Sequence, residues 1–227
     1  AFFGIADREY WAWKTKDFAN GSWQAGLAGF LDVQHMLKWN VSKVKKIVEA
    51  VVTGTASIQR SNGSFEEEYP LESSVCVTAL VIFNLSYSLL EYTKFFSKKA
   101  QDKLKNILVK GLAFLDSTSE THGVISNHIA TIEFAKCIAN KALGKEFDCK
   151  QLCIFFETQS SEGWFVEYFG ADAGYQSLLL HYCIVGIKSL NLAGFEKEID
   201  RAIKFVKKFA FSDGSFAGEL GSRGTSI

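Results

Sequence analysis

Proline is nearly absent from the chain: Pro70 is the only one in 227 residues. Long helices therefore meet almost no residue that removes an amide and crowds the preceding turn. Net charge is absent too, because 25 Lys and Arg balance 25 Asp and Glu, so no global field gathers nucleic acid or an anionic membrane. There is no Lys/Arg cluster interleaved with aromatics of the kind that binds strands. No apolar run reaches the roughly 18 residues of a membrane span; the longest, around Val75 to Leu85, is interrupted by Thr78 and Asn84. The expectation is a protein without nucleic acid as partner and without a membrane span.

Cysteine is sparse and odd in number. Cys76, Cys137, Cys149, Cys153 and Cys183 cannot all pair within one chain, and all five fall in segments that read as helical, so reduced buried thiols are expected. Cys149 and Cys153 lie one helical turn apart, but no second pair or nearby histidine completes a zinc set. No metal and no cofactor is expected, and the unpaired thiols lean towards a reducing, cytoplasmic compartment. Ala1 to Ala6 lacks the basic start and apolar centre of a signal peptide. With Ala1 first and a polar loop last, the sequence reads as a piece of a longer protein.

Apolar residues recur at three and four rather than at two, which predicts helices. Val44, Ile47, Val48, Val51, Val52 and Thr55 make one inward stripe, and Leu104, Ile107, Leu108, Gly111, Leu112 and Leu115 another. The pattern predicts helices over 23–38, 42–60, 72–92, 98–117, 127–142, 146–159, 174–190 and 195–210. Pro70 suits a first helical turn, and Ser126-Asn127 and Asp172 suit caps.

Four loop segments share one skeleton: Asn62-Gly63-Ser64-Phe65, His122-Gly123-Val124-Ile125, Glu162-Gly163-Trp164-Phe165 and Asp213-Gly214-Ser215-Phe216. Their glycines are 60, 40 and 51 residues apart, intervals that suit a helical repeat. Gln59 and Gln159 each stand four residues ahead of their glycine, and Glu68-Tyr69 and Glu167-Tyr168 follow. All four skeletons lie in long connections that alternate with short ones. Antiparallel hairpins in series bring alternate loops to one end, so the expected fold is all-α, an α/α toroid or incomplete α/α barrel of helical hairpins. It is read as a single domain over 1–227, with 1–40 as an N-terminal cap and 41–227 as the hairpin repeats.

The long loops carry groups that suit sugars. Phe65, Tyr69, Trp164, Phe165, Tyr168, Phe169, Tyr175 and Phe216 offer flat apolar faces, while Glu68, Asn127, His128, Glu167, Asp172, Gln176, Asp213, Glu219 and Arg223 offer directional hydrogen bonds. The segment Gly218 to Thr225 holds three glycines around Arg223, whose fork can grip a carboxylate or sulfate.

Ser126-Asn127-His128 opening a helix, followed by Glu162-Gly163-Trp164-Phe165-Val166-Glu167 and then Tyr175, resembles the toroid domain of heparinase II/III-like and alginate-lyase-like polysaccharide lyases over roughly residues 40 to 227. The resemblance implies Asn127, His128, Glu167 and Tyr175 as catalytic residues. It also implies a polysaccharide or oligosaccharide partner bound by Glu68, Tyr69, Trp164, Tyr168, Asp172, Gln176, Asp213, Glu219 and Arg223. The downstream tyrosine lies farther from the glutamate than in those enzymes. The Gln-x-x-x-Gly-x-[Phe/Trp] copies also resemble terpene cyclases and protein prenyltransferase subunits, without an Asp-rich run to bind diphosphate through magnesium.

β-Elimination from a uronic acid needs the C5 proton removed while the adjacent carboxylate is neutralised. Asn127 and Arg223 are candidate neutralisers, His128 and Tyr175 a candidate base and acid, and Glu167 can orient either. Two other readings stay open. Glu68, Glu167, Asp172 and Asp213 could supply the carboxylate pair of a glycoside hydrolase or serve an epimerase. The same loops could also serve a non-catalytic polysaccharide-binding or assembly domain.

Overall fold

A computed structural model describes residues 4–12, 18–120 and 124–216. Among these the protein is all-α, with isolated β-bridges and no strand. The helices are α1 (Arg8–Ala12), α2 (Gly26–Leu37), α3 (Val41–Ile58), α4 (Val75–Glu91), α5 (Lys98–Ser117), α6 (Ser126–Ala142), α7 (Lys150–Glu157), α8 (Ala173–Leu190) and α9 (Glu196–Lys207). No helix is long and apolar enough to cross a membrane among the described residues. The chain divides into two compact units: Ala1–Ser119 with Ile138–Phe147, and Glu120–Cys137 with Asp148–Ile227.

All eight helices expected from periodicity form, with ends displaced by local capping. Asn20 accepts the Ser22 amide and sets a 3₁₀ turn over Gly21–Ala25 before α2. Pro70 does not open α4, contrary to expectation. Leu71 and Ser73 adopt left-handed φ of 68° and 55°, which breaks the helical path, and the helix starts at Val75 with the Ser74 side chain accepting the Val77 amide. The short helix α1 adds to the eight expected from periodicity.

In the first unit, the α5 stripe is buried in full. The α3 stripe is narrower than expected: Val44, Val48, Val52 and Thr55 are buried, but Ile47 faces solvent. Each fully buried Val, Leu or Ile contributes about 1.5–3 kcal/mol. Close approach of α5 to α4 needs Gly111, where a Cβ would stand 2.2 Å from the Ile82 terminal methyl. In the second unit α8 meets α6 in the same way, a Cβ at Gly186 standing 2.2 Å from the Phe134 ring.

Two of the four repeated loops are clasps; His122 and Gly123 of another lie outside the described residues. After α3, Gln59 Nε2 donates both to its own loop, at Gly63 O (2.9 Å), and to the neighbouring helix α5, at Ile107 O (3.0 Å). After α7, Gln159 Nε2 donates to Gly163 O (3.1 Å) and to Glu198 O of α9 (2.8 Å). Both glycines need left-handed φ, 94° and 100°, and both press on the clasped helix: a Cβ would lie 2.1 Å from Lys110 O or 2.3 Å from Arg201 O. Behind them Phe65 and Phe165 are buried, their amides donating to Thr78 Oγ1 and Gln176 Oε1.

A further copy, unnoticed in the sequence, sits at Gly4 (φ 102°), where a Cβ would fall 1.7 Å from Ala50 O of α3. There Gln24 accepts the Ala6 amide and donates to Gly4 O, as Gln176 does for Phe165 and Gly163.

Gly63→Ala and Gly163→Ala should each destabilise the protein by about 2–4 kcal/mol, since backbone strain adds to a clash with backbone. Gly144→Ala, at φ 71° with nothing within 4 Å of the added carbon, should cost only about 1 kcal/mol. Urea denaturation of the three variants separates the two effects; equal losses would mean that strain alone matters.

Candidate functional site

The second unit gathers polar groups where α6 and α8 begin. Ile125 and Glu167 form an antiparallel bridge, and Ser126 N donates to Val166 O at 3.2 Å. This lays the loop across the start of α6, whose first amides have no partner within the helix. Glu167 supplies one: its Oε1 accepts Asn127 N at 2.7 Å, and its Oε2 accepts Asn127 Nδ2 at 2.8 Å. A carboxylate here also meets the positive end of the helix dipole.

Both partners are buried, Glu167 at 1% exposure and Asn127 at 4%. Burial pushes the Glu167 carboxyl from an ordinary 4.5 up to about 7, against the pull of the two Asn127 bonds and with a smaller push from Asp172. A carboxyl in this range can hold or release a proton near neutrality.

The chain then turns tightly. Glu167 N donates to Gly170 O (2.8 Å) and Gly170 N to Glu167 O (3.1 Å). That turn sets Tyr168 at φ 58° and leaves Tyr168 and Phe169 exposed. The Tyr168 ring lies 6.0 Å from the Tyr175 ring, centre to centre. Asp172 caps α8, its Oδ1 accepting Tyr175 N at 2.8 Å. His128 stands next to Asn127 on α6, its Nδ1 bonded to Glu120 Oε2 at 2.7 Å. The Glu120 side chain is 7% exposed and the imidazole 21%, a carboxylate-held ring that water still reaches.

Asn127 bonds Glu167, Tyr175 meets both Tyr168 and Asp172, and Tyr168 follows Glu167 in the chain; His128 follows Asn127 and is bonded to Glu120. Other sequence-derived candidates lie elsewhere. Gln176 is buried and spent on the Gly163 clasp, and Trp164 Nε1 donates to Glu162 at 3.1 Å. Asp213 is exposed in its own turn, and the Ser215 hydroxyl and amide hold its carboxyl below the usual range. Glu68 and Tyr69 belong to the first unit and are exposed, the Glu68 amide donating to Glu72. Glu219 and Arg223 lie outside the described residues.

Sequence reading missed Glu120, which stands eight residues ahead of His128 with no motif to join them. It also missed a cavity of about 340 Å³ in the first unit, bounded by Ile5, Tyr10, Phe18, Arg60, Glu66 and Pro70, where Arg60 and Glu66 form an ion pair. Cys137 donates to Asp148 O at 3.3 Å; burial pushes its thiol up to about 12 and raises the Cys183 thiol as well, so neither ionises near neutrality. Among the described residues, no group of three or more His, Cys, Asp or Glu is arranged to hold a metal.

Because folding raises the Glu167 pKa, the folded state binds more protons than the unfolded state between about pH 4.5 and 7. Its contribution is fully present below the lower value and is lost as pH rises through the upper one. Urea midpoints should therefore fall as pH rises across that window, and Glu167→Gln should flatten the slope. An unchanged slope in the variant would assign it to another group. Comparison with known proteins adds no relative: no family model, no curated protein and no solved structure matches the chain.

Proposed function

We propose that this is a carbohydrate-active protein of the α/α toroid type that acts on a uronic acid-containing polysaccharide by β-elimination. The observation that carries the reading is the grouping at the starts of α6 and α8. A carboxylate-held imidazole, His128, directly follows Asn127, which bonds a buried carboxyl poised near neutrality, and Tyr168, the residue after that carboxyl, has its ring 6.0 Å from that of Tyr175. The toroid part is supported by the clasps, which tie the loop after α3 to α5 and the loop after α7 to α9, in each case the second helix on along the chain.

In this reading His128 takes the C5 proton, and Glu120 orients the ring and stabilises the imidazolium. The electrons of the C5–H bond form the C4–C5 double bond as the C4–O bond breaks, and the Tyr175 hydroxyl protonates the departing oxygen. The substrate carboxylate must be neutralised as the enediolate forms. Asn127 serves this by exchanging its bond to Glu167 for one to the uronate, and the Glu167 proton, available near pH 7, offsets the charge left behind. Tyr168 offers a face for a neighbouring sugar ring, and Trp164, on the same loop but outside that group, offers one for a ring farther along the polymer.

A second reading is a polysaccharide-binding domain without catalysis. It is favoured by the way Asn127 and Glu167 satisfy one another as a helix cap, with no substrate needed.

Incubation with a panel of uronic acid polymers should raise the ultraviolet absorbance of a conjugated 4,5-unsaturated product. His128→Gln and Tyr175→Phe should each lower that rate by about 10²-fold or more while glycan binding persists. Saturable glycan binding without any absorbance, abolished by Trp164→Ala or Tyr168→Ala, would replace elimination with the binding reading.

A further inference from the structure

Three of the five cysteines gather in the second unit, where α6 ends and α7 begins. Cys137 lies near the end of α6 and is 3% exposed. Its Sγ donates to Asp148 O at 3.3 Å, which brings the sulfur against the peptide that joins Asp148 to Cys149. The Cys137 and Cys149 thiols are hydrogen-bonded to one another. Cys149 is half-buried and holds the cap position of α7, where Ser, Thr, Asp or Asn would ordinarily accept a first-turn amide. Its side chain makes no such bond. Cys153 follows one turn later, its amide donating to Cys149 O at 3.0 Å, and is exposed. Cys183, by contrast, is fully buried in α8.

The two bonded thiols are not equivalent. Burial raises both, and their mutual bond then divides them: it pulls the Cys149 thiol back part of the way and lifts that of Cys137 further. Asp148 disfavours ionisation of either, Glu133 that of Cys137 and Cys153 that of Cys149. Cys149 therefore loses its proton first, and it is also the member of the pair that water reaches. A thiolate is the reactive form of cysteine, so the accessible sulfur and the attacking sulfur are the same one, with a second thiol already in contact behind it.

We infer that Cys149 and Cys137 are a redox-active dithiol: Cys149 attacks a hydroperoxide, Cys137 resolves the product, and the resulting disulfide fastens α7 to α6. With hydrogen peroxide, the Cys149 sulfur attacks one oxygen; an S–O bond forms, the O–O bond breaks, and the other oxygen leaves as hydroxide, which takes up the Cys149 proton to become water. Cys137 Sγ then attacks the Cys149 sulfur. The S–S bond forms, the S–O bond breaks, and the departing hydroxide takes the Cys137 proton and leaves as a second water. The thiols give up two electrons and two protons, and the peroxide is reduced to water. Because the sulfurs already meet, α6 and α7 keep their packing. Phe155 and Phe156 of α7 pack on Phe165, two residues ahead of Glu167, so the disulfide braces the helix behind the loop that carries that carboxyl.

The test treats the whole reduced chain with hydrogen peroxide, alkylates the remaining thiols after unfolding and maps unreduced peptides by mass spectrometry. A Cys137–Cys149 cross-link that dithiothreitol reverses is expected, with Cys183 still open to alkylation. Its rate of formation should rise about tenfold per pH unit near neutrality, as the thiolate fraction does below a thiol's pKa. The cross-linked chain should unfold at higher urea than the reduced one. In Cys137→Ala, with folding checked by helical circular dichroism, Cys149 should stop at the sulfenic acid and be captured by dimedone. Oxidation confined to Cys153, or a Cys149–Cys153 cross-link in place of the expected one, overturns the proposal. A rate indifferent to pH overturns Cys149 as the attacking group, and a cross-linked chain no more resistant to urea overturns the fastening of α7.

Discussion

The interaction on which the fold depends is the contact between a left-handed glycine and the backbone of a neighbouring helix. At Gly63 and Gly163 the chain leaves one helix, turns within four residues and comes so near a neighbouring helix, α5 or α9, that a single methyl group would overlap a carbonyl oxygen. One glutamine amide then bonds loop and helix together. Each such bond is worth only about 1 kcal/mol net, but leaving those buried carbonyls without a donor would cost about 1–3 kcal/mol. The clasp therefore acts chiefly by excluding other arrangements: the loop has one register, and the helix it grips has one depth. Phe165 stacks on Phe155 with ring centres 4.7 Å apart, so the apolar packing behind the loop follows from the same register.

The polar cluster inherits its geometry from this device. With Gly163 held against α9, the two residues after Phe165 run along the start of α6, and Glu167 arrives at amides that need an acceptor. Burial at that point lifts its carboxyl towards neutrality, so the group that caps α6 also titrates near pH 7. The stability of the fold therefore depends on that proton near neutrality. The first unit has no copy of this arrangement among its described residues, although its loop is built alike. There the corresponding stretch carries Glu66, which pairs with Arg60 and accepts the Ser73 amide, so its charge is neutralised by a cation rather than by burial beside an amide.

Much of this was legible in the residues themselves. Three-and-four spacing located every long helix, because an amphipathic stripe must face a core whatever the partner. The Asp172 cap was legible as well, since that choice is made within a few residues. Pro70 misled because its preference for a first turn is weak beside the left-handed backbone at Leu71 and Ser73. Ile47 misled because a stripe records which residues can be buried, while the width of the neighbouring helix decides how many are. Gly4 escaped notice since its aromatic partner position holds Ala6, so the skeleton is recognisable only from its hydrogen bonds. Glu120 was invisible for a different reason: its bond to His128 joins a loop to a helix with no fixed spacing between them.

The sequence by itself determined the all-α class, the helix series and the positions of the clasping loops, for these follow from periodicity, the near-absence of proline and the need of certain turns for glycine. It also marked Asn127, Glu167 and Tyr175 as residues of interest. Only the tertiary structure decided that Asn127 and Glu167 satisfy each other across forty residues of chain, that Gln176 is spent on the backbone, and that Phe216 is uncovered where Phe65 and Phe165 are not. Burial and hydrogen-bond partnership are properties of what surrounds a side chain. Local pattern constrains them only when the partner lies within a turn or two, and here the decisive partners came from other helices.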